Sequence, residues 1–225
     1  MSKTALVLCG GRGTRFRAVS KSPKILTPYK NGLFIDWLFG YLTKNGFEKI
    51  ILSLGYKSEE IIQYVNTKFL RGTCISILEE VPLGTGGAIT NAFDKITDEE
   101  LCIFNGDTFW SLALDEDFLN RPLGLGLCLT KILSVNDRYG EFNVDNGQLS
   151  IKRGSPKKIL NNSRVFIGIA RVSRELKTDE LVPPYSFEDL LSVQKNKIET
   201  YDYNGDMFDF GTPNAFKVFG EKYDV

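Results

Sequence analysis

The sequence predicts an α/β fold: a mixed, mostly parallel sheet flanked by helices, with a smaller β-rich addition in the second half. Short apolar runs alternate with amphipathic segments over the first hundred or so residues, which is the order of elements in a parallel sheet. The apolar runs are continuous, as expected for strands covered on both faces. Beyond Phe118, strand and hairpin patterns take over, and they favour the β-rich addition.

The elements of the first half are predicted from apolar spacing and from end signals. Phe34, Leu38 and Leu42 share one helical face, and Gly46 suits the end of that helix. Ser58 precedes two acidic residues and opens a second helix. The strands predicted here cover 4–9, 49–54, 74–78 and 101–104, and the helices cover 34–45, 58 onwards and 88–93.

The second half is predicted to complete the same sheet and to add a strand-rich flap. Strands are expected over 123–132 and 165–172, and a hairpin over 142–151 that turns at Asp145-Asn146-Gly147. An aromatic-rich stretch over 201–210 contains a further turn, and Thr212-Pro213 suits a helix start. No repeat or linker divides the chain. We therefore expect one domain over 1–225, with halves of about 1–118 and 119–225.

Composition excludes several classes of protein. No apolar stretch approaches the roughly 20 residues that span a bilayer, and the start lacks a signal peptide's pattern, so we expect a cytoplasmic protein with no membrane partner. The formal net charge of zero argues against general nucleic-acid binding. All four cysteines lie in apolar runs and are expected to be reduced core residues. The lack of histidine removes the commonest general base.

A glycine-rich segment, Gly10-Gly11-Arg12-Gly13-Thr14-Arg15, follows the first predicted strand. Glycine lets the backbone approach a ligand closely and arginine adds a forked cationic donor, so the segment indicates a polyphosphate site. Seven cations and no acid precede Asp36, which favours an anionic ligand; a solvated basic surface is the alternative. The segment lacks the ending of a Walker loop, and Phe16 replaces the third glycine of a dinucleotide fingerprint.

A wider set of motifs resembles the sugar-1-phosphate nucleotidylyltransferases, which make nucleotide-activated sugars. The glycine-rich segment and Ser22-Pro23-Lys24 begin the resemblance, and it continues in the family's order through 82–88, 104–107, 139–140 and 208–213. It implies a Rossmann-like nucleotide-diphospho-sugar transferase fold with a β-rich sugar-binding subdomain and, here, no C-terminal left-handed β-helix. The motif at 82–87 is most similar to the guanylyltransferase branch that acts on D-glycero-α-D-manno-heptose 1-phosphate.

The resemblance implies that a sugar 1-phosphate oxygen attacks the α-phosphorus of a nucleoside triphosphate and releases pyrophosphate. That oxygen is already anionic, so no histidine is needed. Arg15, Lys24 and Asp107 would be catalytic, with Arg15 on the leaving phosphates and Lys24 on the α-phosphate. Asp107 and Asp209 would bind Mg²⁺, which prefers one or two carboxylates plus phosphate oxygens. The nucleotide-binding residues implied are Leu8, Gly10, Gly11, Gly13, Thr14, Glu79, Pro82, Gly84, Thr85 and Gly87.

The sugar-binding residues implied by the resemblance are Asn105, Tyr139, Gly140, Lys152 and Gly168. Two departures fall in this group. The family's Glu-Lys pair is matched only by Lys152, and the family's Asn-Ala-Gly or Asn-Gly-Gly element is replaced by Phe166-Ile167-Gly168. Tyr139 could equally pack at a strand start.

Three functions are compatible with these residues. The first is a Mg²⁺-dependent guanylyltransferase that supplies an activated heptose or hexose for surface polysaccharide assembly. The second is a uridylyl-, thymidylyl- or cytidylyltransferase. The third is a nucleotide-sugar-binding regulatory protein without catalysis, against which both metal carboxylates argue. The expected partners are the small-molecule substrates, and a homodimer is left open.

Overall fold

The structure is a computed structural model that describes residues 3–11, 13, 22–69, 74–133, 139–145, 148–152, 163–194, 198–209 and 213–223. The chain forms two compact units. The first unit contains Met1–Pro82, Phe104–Ala113 and Gly205–Val225, and the second contains Leu83–Ile103 and Leu114–Asn204. The chain therefore passes from one unit to the other four times. The expected halves, 1–118 and 119–225, remain a prediction.

The first unit begins with two strand–helix–strand repeats around a parallel ladder. Strand β4 pairs in parallel with β1 on one side and with β5 on the other, and a helix lies in the chain between each pair of strands. A short 3-10 turn covers Lys24–Leu26. The elements are β1 (Lys3–Cys9), β2 (Pro28–Tyr29), β3 (Gly32–Leu33), α1 (Phe34–Lys44), β4 (Phe47–Leu54), α2 (Ser58–Lys68) and β5 (Cys74–Leu78).

The remaining elements alternate between the units. Strand β6 crosses the boundary, since its first four residues belong to the second unit and its last two to the first. In chain order the elements are α3 (Gly84–Lys95), β6 (Glu100–Asn105), β7 (Thr108–Trp110), α4 (Glu116–Asn120), β8 (Gly126–Leu133), β9 (Glu141–Asp145), β10 (Gln148–Lys152), β11 (Ser163–Ser173), α5 (Phe187–Val193), β12 (Ile198–Asp202), β13 (Met207–Asp209) and α6 (Pro213–Tyr223).

The second unit carries the β-rich part of the chain. Strand β11 pairs antiparallel with β8 and β9, and β9 pairs antiparallel with β10. Strand β12 pairs in parallel with β8, which makes the pairing mixed. The predicted hairpin over 142–151 corresponds to β9 and β10, while the Asn146-Gly147 turn lies outside the described residues.

The core of the first unit explains why its predicted elements form. Helix α1 buries Phe34, Leu38 and Leu42 as the spacing predicts. The rings of Trp37 and Phe109 lie 4.6 Å apart, centroid to centroid, so α1 packs its aromatic face on β7. Aromatic pairs of this kind add to the burial of apolar area.

The expectation that all four cysteines are core residues needs correction. The four cysteines are free, as predicted, but only Cys102 and Cys128 are buried core residues; Cys9 and Cys74 are partly exposed. They lie at or near strand ends, where cover from neighbouring elements is incomplete.

No helix in the described ranges is long and apolar enough to cross a membrane.

Candidate functional site

The strand ends of the first unit converge closely because glycines follow them. A Cβ added to Gly55, just after β4, would lie 2.6 Å from the carbonyl oxygen of Gly10, just after β1. A Cβ added to Gly106, just after β6, would lie 2.7 Å from the carbonyl oxygen of Leu8, which accepts the Gly106 amide over 3.0 Å. These approaches leave no room for a side chain. The carboxyl ends of strands are where ligands bind in open α/β sheets.

Lys24 and Asp107 meet at this edge. The Nζ of Lys24 donates to Oδ2 of Asp107 over 2.7 Å, and the two side chains keep 21% and 30% of their exposure. Lys24 opens the 3-10 turn after the glycine-rich segment, and Asp107 lies in the tight turn between β6 and β7. Two predicted catalytic residues are thus in direct contact, and both remain open to solvent.

Asp209 lies next to Asp107 through strand pairing. Strand β13 pairs antiparallel with β7, and Asp209 is opposite Thr108, the residue after Asp107. Opposed residues in an antiparallel pair lie about 5 Å apart, so both aspartates lie at one end of the same ladder. Among the described residues, no group of three or more acidic, cysteine or histidine side chains could hold a metal ion. Two carboxylates suffice for Mg²⁺ when phosphate oxygens and water complete its shell, so this donor set fits that ion.

Glu79 is held in place at the end of β5. Its Oε1 accepts a hydrogen bond from the hydroxyl of Ser53 over 2.9 Å, and Ser53 is fully buried in β4. A Cβ added to Gly10 would lie 2.3 Å from the same Oε1. Glu79 is partly exposed, and the Ser53 hydroxyl holds one of its carboxylate oxygens near Gly10.

The other predicted residues of the first unit are placed as follows. Gly11 is exposed, and a Cβ there would meet nothing within 4 Å, whereas Gly13 has φ +56° and faces the Lys24 side chain. Asn105 ends β6 and Pro82 is exposed. Thr14 and Arg15 lie outside the described residues, so their predicted roles stay predictions.

Cys9 lies at this edge, and nearby carboxylates affect the pKa of its thiol. Cys9 is partly exposed as a residue, but its sulfur is buried; this burial raises the pKa of the thiol well above its usual value, and the negative charges of Asp107 and Glu79 raise it further. The edge thus disfavours an added negative charge on sulfur. An anionic ligand here needs cations to offset the carboxylates.

In the second unit, the predicted motif Gly84-Thr85-Gly86-Gly87 begins α3. Gly84 has φ +74°, and a Cβ there would lie 2.3 Å from the carbonyl oxygen of Tyr185. The amide of Gly86 donates to that same oxygen over 3.1 Å. Gly84 and Thr85 are exposed, whereas Gly87 is buried. Close approach to another backbone segment is a reason for these glycines that the sequence did not reveal.

Three of the predicted sugar residues, Tyr139, Gly140 and Lys152, lie near one another in the second unit. Lys152, which is exposed, pairs in register with Glu141, the residue after Gly140; Glu141 also pairs with Val165 of β11. Tyr139 and Gly140 precede β9 and are partly exposed. Strand register therefore brings Tyr139, Gly140 and Lys152 to one end of the β9–β10 ladder.

The departure at 166–168 has a structural counterpart. Gly168 has φ +83° and lies where the pairing of β11 with β8 is irregular. The ring of Phe166 stacks on that of Phe142, with centroids 5.5 Å apart. Phe166 is thus a packing residue between strands, and no polar side chain from 166–168 replaces the family's asparagine.

Sequence reasoning missed two residues that contact predicted site residues, one in each unit. Ser53 fixes Glu79, and its polar side chain inside the apolar run Ile51-Leu52-Ser53-Leu54 was an available signal. Tyr185 contacts the glycine motif from about a hundred residues away in sequence, and no local pattern points to it.

Known proteins are similar to this chain over most of its length. The family model described as nucleotidyl transferase matches residues 4–140. The D-glycero-alpha-D-manno-heptose 1-phosphate guanylyltransferase of Campylobacter jejuni is 33% identical over 220 residues, covering 96% of this chain and 97% of the relative. The enzyme of the same name from Aneurinibacillus thermoaerophilus is 34% identical over 223 residues, covering 95% of each chain.

Solved structures agree with the sequence relatives. The crystal structure of HddC from Yersinia pseudotuberculosis superposes with a TM-score of 0.84 at 26% identity, covering 98% of this chain and 99% of that chain. The same protein complexed with GMP-PN gives a TM-score of 0.83 at 27% identity over the same shares of the two chains. The predicted fold class, a mixed and mostly parallel sheet with helices, is confirmed. Because the family model spans more than half of the sequence and relatives cover nearly all of it, the chain belongs to the nucleotidyl transferase family.

Proposed function

We propose that this protein transfers the guanylyl group of GTP to D-glycero-α-D-manno-heptose 1-phosphate and releases pyrophosphate. The observation that carries the proposal is the match, along nearly the whole chain, to two relatives with that named activity. The activated heptose would serve surface polysaccharide assembly.

The chemistry needs positioning and charge neutralisation more than proton transfer. An oxygen of the sugar phosphate attacks the α-phosphorus of GTP, a new P–O bond forms, and the bond to the β-phosphate breaks with its electrons on pyrophosphate. The attacking oxygen is already anionic near neutral pH, so no general base is required. The protein must hold two anions in line and offset charge that develops in the transition state.

Among the residues that the structure describes, Lys24 would be the main cation that offsets phosphate charge. Its ammonium lies beside Asp107 and remains partly exposed, within reach of a ligand at the strand ends. The backbone of Gly11 has free space beside it, which suits a phosphate approaching the amides of the glycine-rich segment. Arg15 and Thr14 of that segment would bind the leaving phosphates.

Asp107 and Asp209 would hold Mg²⁺. Asp209 lies opposite Thr108 at the end of the β7–β13 ladder and Asp107 directly precedes Thr108, which supports this assignment, and the chemistry of the two carboxylates suits the ion. When bound, Mg²⁺ would neutralise phosphate charge and help to orient the triphosphate.

Glu79 would select the base. Guanine presents two neighbouring donors, its ring N–H and its amino group, which suit one carboxylate. The Ser53 hydroxyl fixes one oxygen of Glu79 from the buried side, so the carboxylate is preorganised before a base arrives. Uracil and thymine offer one ring N–H between two carbonyls and suit this carboxylate less well.

In the second unit, Tyr139, Gly140 and Lys152 would contact the sugar 1-phosphate. They lie at one end of the β9–β10 ladder, and the lysine supplies charge for the phosphate. Gly168 would allow close approach at the irregular part of β11.

Pyrophosphate release tests the proposal directly. The purified protein is incubated with Mg²⁺ and with each common nucleoside triphosphate in combination with hexose and heptose 1-phosphates. We expect rapid release only with GTP, the heptose 1-phosphate and Mg²⁺ together. Preference for UTP or dTTP would overturn the guanylyl assignment, and no release with any pair would favour a binding protein without catalysis.

A further inference from the structure

The segment Pro183–Phe187 lies directly on the first turn of α3. The amide of Gly86 donates to the carbonyl oxygen of Tyr185, and the amide of Tyr185 donates to the carbonyl oxygen of Leu83, each over 3.1 Å. The amide of Phe187 donates to the hydroxyl of Thr85 over 2.8 Å. Three hydrogen bonds thus join two chain segments about a hundred residues apart in sequence.

Tyr185 performs the capping that the helix lacks locally. The residue before α3, Leu83, makes no side-chain cap, although the first amides of a helix need partners from outside it. The carbonyl of Tyr185 supplies one partner, and the geometry leaves it little freedom. A Cβ added to Gly86 would lie 2.4 Å from the carbonyl oxygen of Ser186 and 2.6 Å from the Tyr185 ring.

The side chain of Tyr185 is fixed as well as its backbone. It is 7% exposed, and its hydroxyl lies 2.8 Å from the hydroxyl of Thr90, one turn further along α3. A buried phenol needs such a partner. Tyr185 therefore contacts α3 at two positions: its carbonyl accepts from the Gly86 amide, and its hydroxyl hydrogen-bonds with the hydroxyl of Thr90.

We propose that Tyr185 is a positioning residue for the nucleotide, acting through the motif Gly84–Gly87; this inference rests on the proposed function. The motif has exposed residues, Gly84 and Thr85, on the helix end that Tyr185 holds. Because Tyr185 fixes this end of α3, it determines where the backbone of Gly84 and Thr85 can contact a base. The Gly86 amide is already bonded to Tyr185, so base contacts come from other atoms of the motif.

The hydroxyl pair allows a sharp test. Tyr185→Phe and Thr90→Val remove the same bond from opposite sides, while Thr90→Ser keeps it. Tyr203→Phe is the matched control, because Tyr203 is also 7% exposed in the second unit but its backbone pairs with Thr130 of β8. GTP binding is measured by calorimetry, KM for each substrate and kcat by pyrophosphate release, and unfolding by denaturant.

We expect Tyr185→Phe and Thr90→Val each to raise the KM and Kd for GTP about three- to tenfold. The KM for the sugar 1-phosphate and kcat should change less than twofold. Thr90→Ser and Tyr203→Phe should bind GTP as the unchanged protein does, and the double variant Tyr185→Phe/Thr90→Val should be no worse than either single one.

Other outcomes separate the two claims. Loss of unfolding stability in Tyr185→Phe with an unchanged Kd for GTP would reduce Tyr185 to a structural residue and overturn the inference. Additive effects in the double variant, or failure of Thr90→Ser to bind normally, would overturn it too. An unchanged protein that binds no GTP would instead overturn the proposed function.

Discussion

The ammonium of Lys24 is bonded to the carboxylate of Asp107 over 2.7 Å, although 83 positions separate them in sequence. Each side chain stays partly exposed, so neither pays the full cost of burying a charge. The pair keeps a cation and a carboxylate together at the strand ends of the first unit, where the triphosphate is proposed to bind.

Replacing either partner should damage catalysis much more than folding. We expect Lys24→Ala and Asp107→Ala to lower kcat by about 10²- to 10³-fold, the scale of losing one preorganised charge. The free energy of unfolding should change by about 1 kcal/mol, since an ion pair that keeps contact with solvent contributes little. Lys222→Ala is the control, because the Lys222–Asp206 pair in the same unit spans 3.0 Å and is about half exposed. An unchanged kcat in either site variant would refute the assignment.

Glu79 should favour GTP over UTP. In Glu79→Gln one acceptor oxygen becomes a donor, which no longer suits both donors of guanine. We expect kcat/KM for GTP to fall about 10- to 100-fold, as for loss of a bidentate base contact, and the GTP-to-UTP preference to narrow. Glu80→Gln removes the same charge from the adjacent exposed side chain and should leave the preference intact. Equal losses in both variants would point to general electrostatics.

Glycines in this fold should respond to alanine in opposite directions. A Cβ at Gly106 would lie 2.7 Å from a backbone oxygen of β1, and backbone cannot swing aside. We expect Gly106→Ala to cost about 1–3 kcal/mol of unfolding free energy, the scale of overpacking. Gly40 is exposed in α1 with nothing near its Cβ position, so Gly40→Ala should gain about 0.5–1 kcal/mol. Denaturant unfolding distinguishes the two.

Asp36 should make the protein sensitive to acid. Burial alone would raise the pKa of its carboxyl, but hydrogen bonds from the Leu33 amide, Lys68 and Tyr64 lower that pKa below its usual value. The folded state therefore binds this proton less readily than the unfolded state. Its stabilising contribution is present above about pH 4 and is lost as the pH falls through the lowered pKa.

Asp36→Asn should accordingly flatten the loss of unfolding free energy between about pH 5 and 3 and lower stability at neutral pH. Glu221→Gln, which removes an exposed carboxylate from α6, should leave the profile of the unchanged protein. If the pH profiles of Asp36→Asn and Glu221→Gln both coincide with that of the unchanged protein, the hydrogen bonds of Asp36 do not govern stability in acid.

Cys74 should be unreactive although it is partly exposed. Burial raises the pKa of its thiol to about 12, so very little thiolate exists near pH 8. The smaller thiolate fraction outweighs the greater nucleophilicity of a more basic sulfur, and alkylation should be about a hundredfold slower than for a free thiol. Mass spectrometry of iodoacetamide-treated protein, native and in urea, measures the ratio. Equal rates in the two conditions would contradict the raised pKa.

The long elements could be predicted because each carries its own signal. Strands β1, β4 and β6 each contain a short, mostly apolar run, and α1 has apolar residues at helical spacing. Short elements gave weaker signals: β7 has three residues and α5 has seven. The proposed site residues were predicted from motifs that stand in the order of the family they resemble. Their partners were not, because the bonds from Ser53 to Glu79 and from Gly86 to Tyr185 join segments that only the folded chain brings together.

The four crossings of the chain between its two units limit how the gene can be cut. Neither unit corresponds to one continuous stretch, so a fragment that stops near the middle encodes an incomplete piece of each. Two halves of the chain expressed separately would have to associate before either unit could complete its core. For the same reason, a single crossover between homologous genes would not exchange one intact unit.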